Sequence, residues 1–183
     1  MTQRGTVENN RFDSLEFEER RHRRENRPDE GARSETGTPA RDAAYFRAAG
    51  DAEFRLGLYE SALRAYSRAL EQDGTVFVCW LGQVRSLLAL GEYEEADLWA
   101  DKALELFPEH PDLLSAKALA AVRRGLVPRA MAYSDNALSR EGVSPFVWLC
   151  RGEVLTVRGS SMAEHCFEQA AVVSEDTVER AWT

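Results

Sequence analysis

The stretch Gly91-Glu92-Tyr93-Glu94-Glu95-Ala96 sets a frame: a glycine, an aromatic residue two positions on, and an alanine five positions after the glycine. The same frame stands at Gly57, Tyr59 and Ala62, and again at Gly125, Val127 and Ala130. It returns at Gly159, where the alanine arrives one residue early, at Ala163. Gly57, Gly91, Gly125 and Gly159 are each 34 residues apart. A fixed period in the range of roughly 20–50 residues marks copies of one supersecondary unit, none of which can bury its apolar face alone. The chain therefore reads as a stack of similar units, with repeats over 43–76, 77–110, 111–144 and 145–177.

Each unit divides into two helices around its glycine. In the first, Phe46, Ala49, Gly50 and Phe54 mark one helix, with Asp42 as its N-cap. Ala62, Leu63, Tyr66, Ala69 and Leu70 then recur at the helical period in the second helix. Trp80, Val84, Leu87 and Leu88, then Ala96, Ala100, Ala103 and Leu104, repeat the scheme, and Pro108 stops it. The third unit carries Leu114, Ala118 and Ala121, then Ala130, Ala137 and Leu138. Pro111 and Pro128 sit where a first helical turn accepts proline. In the fourth, Ser144 precedes Pro145 as an N-cap, Trp148, Gly152 and Leu155 follow, and the early Ala163 reads as a one-residue deletion in the turn. Residues 177–183 read as the start of a further helix.

With Trp80-x2-Gln83-Val84-x2-Leu87, Trp148-x2-Arg151-Gly152-x2-Leu155, Ala62-x3-Tyr66, Ala163-x3-Phe167 and Pro108, the units resemble tetratricopeptide repeats (TPRs). The resemblance covers about residues 43–183 and is thinnest in the third unit, which keeps only Tyr133 as an aromatic. It implies an all-α, right-handed α-solenoid of four helix pairs over 42–183, with the first helices lining a concave face. Small residues belong where two helices cross, and a larger side chain at Ala62, Ala96, Ala130, Gly50, Ala118 or Gly152 is expected to cost ~1–3 kcal/mol through overpacking.

Residues 1–41 read differently. They carry nine arginines and nine acidic residues but little apolar surface beyond Val7, Phe12, Leu15 and Phe17. Such a segment cannot offset an ordering entropy of roughly 1–2 kcal/mol per residue, so a disordered N-terminal tail is expected. The remainder holds fourteen basic and twenty-two acidic residues, so the net charge of −8 belongs to the repeats. That charge argues against a phosphate-binding face and hence against nucleic acid as a partner. No apolar run is long enough to span a bilayer, and Met1–Asn10 lacks the apolar core of a secretory signal. Cys79, Cys150 and Cys166 follow no disulfide or metal-site spacing, which fits reduced thiols and a cytoplasmic setting.

No constellation for catalysis is evident. His22, His110 and His165 are scattered, His165-Cys166 are neighbours that diverge on a helix, and there is no phosphate loop or H-E-x-x-H. The acidic run Glu92, Glu94 and Glu95 sits at a helix start, where the dipole favours it. No cofactor or metal is expected. Carried onto this chain, the inner face implied by the resemblance includes Arg47, Phe54, Leu81, Arg85, Leu88, Leu119, Arg123, Phe146 and Leu149 as a partner-binding groove. Asp51, Asp112, Ser115 and Val122 fall on the same face, with Arg47–Asp51 as a local i,i+4 pair.

Apolar residues interleaved with arginines suit an apolar protein segment that carries some carboxylates. The expected work is noncatalytic binding of such a segment. The alternatives are self-association through the uncapped C-terminal repeat and a chaperone-like adaptor for an aggregation-prone bacterial partner. One TPR subclass clamps the acidic C-terminal tails of chaperones. Of its positions only Arg47 matches here; Asp51, Gly82, Asp112 and Ala116 occupy the others, and chaperone-tail binding is not expected.

Overall fold

The structure is a computed structural model that describes residues 41–181, with side chains to Ser174. The tail expected over 1–41 lies, apart from Arg41, outside the described residues. Eight helices follow in order: α1 Ala43–Arg55, α2 Tyr59–Gln72, α3 Phe77–Leu90, α4 Tyr93–Leu106, α5 Pro111–Arg123, α6 Val127–Leu138, α7 Pro145–Val157 and α8 Met162–Ala181. They form the four expected pairs.

The starts follow from local chemistry. The Asp42 carboxylate accepts a hydrogen bond from the Tyr45 N–H at 2.8 Å. The Ser144 hydroxyl accepts from the Val147 N–H and donates to Asp112, so the cap of α7 is itself tied to the start of α5. The turns within the pairs share one design. Gly57, Gly91, Gly125 and Gly159 all adopt φ between 68° and 82°, a region that glycine enters without a Cβ penalty. The next residue then bonds back five positions: Leu58 N–H to Glu53 O, Glu92 to Leu87, Leu126 to Ala121 and Ser160 to Leu155, at 2.9–3.0 Å. This is the Schellman closure, which satisfies carbonyls that a helix end would otherwise orphan.

The fourth turn shows what the missing residue does. Ala62, Ala96 and Ala130 each donate to the carbonyl four residues back, that of Leu58, Glu92 and Leu126. Ala163 donates to the matching carbonyl, Ser160, which is three residues back at 3.2 Å. One α turn becomes a tighter 3₁₀ turn. The deletion is absorbed before the helix proper, so Ala163, Phe167 and Ala170 keep the spacing of Ala62, Tyr66 and Ala69.

The pairs stack through their first helices. α1 packs on α3, α3 on α5 and α5 on α7, while each second helix packs on the first helix of its own pair and the next. The core of this stack is a volume exchange. Tyr66 is 3% exposed, and a Cβ placed on Gly50 of α1 or Gly82 of α3 would stand 2.8 Å or 2.5 Å from its ring. Gly152 stands in the same relation to Phe167, at 2.4 Å. In the second pair the large and small partners change places, Val84 standing where Gly50 does and Ala100 where Tyr66 does, whereas in the third both are small, Ala118 and Ser134; all four are buried.

One expectation is corrected at the C-terminus. The segment from 177 does not begin a new helix; α8 is continuous from Met162 to Ala181. Pro108 closes the second unit and Gly142 interrupts the third, whereas Glu175 stands at the matching point of the fourth and does not stop a helix.

Charged side chains join the units. The Lys117 ammonium, buried in α5, donates to Asp97 at 2.6 Å and pairs with Asp101 of α4 at 2.7 Å. Arg151 of α7 pairs with Asp135 of α6 at 2.6 Å. Lys117 and Arg151 are one repeat apart, as are Asp101 and Asp135, so the same joint recurs. At the first joint the places are taken by Gln83 and Ser67. The buried Gln83 Oε1 has no hydrogen-bond partner among the described residues, and the Ser67 hydroxyl donates to Leu63 O.

Candidate functional site: an inner-face groove

A cavity of about 480 Å³ lies along the inner face. Phe54 reaches it from the end of α1, Arg85, Leu88 and Ala89 from α3, Tyr93 from the start of α4, Leu119 and Arg123 from α5, Phe146, Leu149, Cys150 and Glu153 from α7, and Phe167 from α8. Spacing on the helices explains this convergence: Arg85 and Leu88 are i,i+3, Leu119 and Arg123 i,i+4, and Phe146, Leu149 and Glu153 follow the same stripe. Every pair contributes, so the cavity exists only in the assembled stack.

Seven of the nine expected groove residues line it: Phe54, Arg85, Leu88, Leu119, Arg123, Phe146 and Leu149. Arg47 and Leu81 are not among its lining residues. Val122 is buried with Ala118, Ala121, Ala130 and Val154, and belongs to the core. Asp112 and Ser115 are buried as well, because the first turns of α5 are covered by α7. Asp51 does not behave as the local partner of Arg47: its Oδ1 accepts the Tyr66 hydroxyl at 2.8 Å. Burial and that bond to Asp51 hold the Tyr66 hydroxyl well above its usual pKa.

The two arginines of the cavity differ. Arg123 pairs with Glu153 at 2.6 Å. The Arg85 guanidinium lies over two rings, 5.1 Å from the centre of Phe54 and 4.9 Å from that of Phe146. It thereby links the first, second and fourth pairs across the groove.

Sequence reasoning passed over the charged joints, although a signal was present. The 34-residue comb carries acid at 101 and 135 and base at 117 and 151. Read singly, each looks like a solvated helix charge.

The cysteines are packing residues. Cys79, Cys150 and Cys166 are free and buried. Burial pushes each thiol up, Cys79 to about 11. A thiol reagent at pH 8 is expected to leave all three largely unmodified in the native chain and to titrate all three after denaturation. Rapid native reaction of any one contradicts this. The unfolded thiol titrates near ~8.5 and the folded one higher, so the contribution of Cys79 to stability is complete below ~8.5 and is lost as pH rises toward about 11. His110 stacks on Phe77 at 3.9 Å, and burial holds it below the usual histidine range. Among the described residues, no group of three His, Cys, Asp or Glu is placed to hold a metal ion, and no helix is long and apolar enough to cross a membrane.

No protein-family model and no curated protein matches the chain in sequence. Its fold matches solved TPR structures. One is TTC0263, a thermophilic TPR protein of Thermus thermophilus, at 20% identity and a TM-score of 0.63, covering 73% of this chain and 75% of that one. Another is the Cut9–Hcn1 hetero-tetramer of the APC/C, at 18% and 0.63 over 73% of this chain; there the match spans about a quarter, 26%, of the other chain's length. A third is the first TPR domain of Spaghetti (RPAP3) bound to the HSP90 peptide SRMEEVD, at 16% and 0.56, covering 66% and 94% of the two chains. The chain thus has the fold of a TPR solenoid.

Proposed function

We propose that this chain is a noncatalytic protein-interaction module that holds an apolar segment of a partner protein against its inner face. The observation that carries the reading is the cavity of about 480 Å³ to which all four helix pairs contribute apolar side chains. Concave apolar sites with few polar groups are the usual seats of ligands. The peptide-bound TPR domain of RPAP3 supports the class of ligand. An acidic chaperone tail fits less well, because Gly82 packs on Tyr66, Asp51 accepts from the same residue, and Asp112 and Ala116 are buried.

The test is selection from a random peptide library displayed on phage. Leu149 is 46% exposed at the cavity, so Leu149→Glu is expected to leave folding intact. It should weaken selected peptides at least about tenfold, or ~1.4 kcal/mol. Equal affinity for the variant, with unchanged helical signal, removes the groove as the site.

A second reading is self-association. Met162, Phe167 and Val172 of α8 are exposed, and exposed apolar side chains are surface that a second copy would bury. Light scattering at two concentrations decides it: a concentration-independent monomer rules it out.

A further inference from the structure

We infer that Arg85 reads one side-chain carboxylate within the bound segment, so that the groove selects an internal Asp or Glu flanked by bulky apolar residues. The inference rests on the peptide-binding reading of the groove and adds the chemistry of recognition.

The observation is an arginine with its donors unused. Arg85 lines the cavity and touches the rings of Phe54 and Phe146. A cation–π contact engages the charge and the ring face and consumes no N–H. Among the described residues no hydrogen bond or ion pair engages its guanidinium. The other lining arginine, Arg123, is held at 2.6 Å by Glu153, and the arginines of the outer joints are paired likewise.

Five in-plane donors match a carboxylate in bidentate fashion, and a multiply charged anion would meet the neighbouring Glu153. The two rings hold the guanidinium before the ligand arrives, which lowers the ordering cost of binding. Leu88, Leu119 and Leu149 surround it with apolar surface, where a charge-assisted hydrogen bond is stronger than in water. The carboxylate is assigned to a side chain, not to a chain end. Apolar lining comes from both sides of α3, with Phe54 of α1 on one and Leu119 of α5 and Leu149 of α7 on the other. A segment that ended at Arg85 would leave the apolar lining on one side of it uncovered.

The probe is the same random peptide library, selected on the full chain. Enriched peptides are expected to share an internal Asp or Glu near Leu, Phe, Ile or Trp. Changing that Glu to Gln should weaken binding about tenfold, as should Arg85→Gln, and the two losses should not add, because each removes the same contact. Arg85→Lys should restore only part, since an ammonium lacks the fork. Circular dichroism of each variant checks the fold.

Several outcomes overturn the inference. Peptides that bind the groove without a carboxylate, or equally well with Gln, or with additive losses, overturn it and leave the groove reading standing. Peptides that lose affinity when their C-terminus is amidated overturn the side-chain assignment. Failure to enrich any peptide, or peptides indifferent to both Leu149→Glu and Arg85→Gln, overturns the groove reading itself.

Discussion

Gly82→Val is expected to lower stability by about 3 kcal/mol, at the upper end of overpacking costs. The Tyr66 ring already stands 2.5 Å from the place of a first methyl at Gly82, is 3% exposed, and is anchored through its hydroxyl to Asp51. It cannot yield without moving α2 outward from both α1 and α3. Gly82→Ala should cost less, about 1–2 kcal/mol, because alanine recovers ~0.5–1 kcal/mol of helix propensity. The comparison that isolates the mechanism is Gly152→Ala. Its Cβ would come as close, 2.4 Å, to Phe167, but that ring is 38% exposed and can swing toward solvent. Gly152→Ala is therefore expected to be nearly neutral, which corrects the overpacking cost of ~1–3 kcal/mol that the repeat pattern alone implies at this position. Denaturant unfolding of the three variants measures this. Equal losses for Gly82→Ala and Gly152→Ala would show that the freedom of the ring is irrelevant.

Lys117→Met is the second large effect. A buried ammonium whose partners are carboxylates leaves those carboxylates behind when it is removed, and breaking a buried pair typically costs 3–5 kcal/mol. Here the loss is smaller, about 2 kcal/mol, for two reasons. Asp101 is 58% exposed and regains water, and Asp97 keeps Arg124 at 3.4 Å and Arg129 at 3.6 Å. Pairing Lys117→Met with Asp97→Leu should recover part of the loss, because the uncompensated acid is removed with the base.

Alkaline pH gives an independent readout. Burial pulls the Lys117 pKa down, but hydrogen bonds to Asp101 and Asp97 outweigh it and the net direction is up. A raised folded value means that this contribution is complete below the unfolded lysine value of ~10.4 and is lost as pH rises through the folded value above it. Wild type should lose stability there more steeply than Lys117→Met. Parallel pH curves for the two proteins would contradict the assignment.

Much of this architecture was legible in the residues. Four glycines at one period foretold four turns, and all four adopt the same left-handed closure. The early Ala163 read as a deletion, and its 3₁₀ turn shows how the deletion is accommodated. The groove was legible where the helical stripe alone decides exposure, as at Leu119, Phe146 and Leu149. It was not legible where a neighbouring helix covers the stripe: Val122, Asp112 and Ser115 share the phase of the groove residues, yet α5 is flanked by α3, α4, α6 and α7. Periodicity reports the face of a residue and says nothing about how many elements crowd that face. The buried charges escaped for a related reason, since a lysine at helical spacing looks solvated until its partner one unit earlier is placed beside it.

The joints also fix the order in which the units follow one another. Within each pair the turn is interchangeable, because all four glycines close it alike. Between pairs it is not. If the third unit were spliced directly after the first, Lys117 would face Ser67 in place of Asp101, and a buried ammonium would have lost an acid. Shuffled arrays of these units would keep every hairpin and fail at the seams, so the succession of copies is written in the contacts between neighbours and not in the copies themselves.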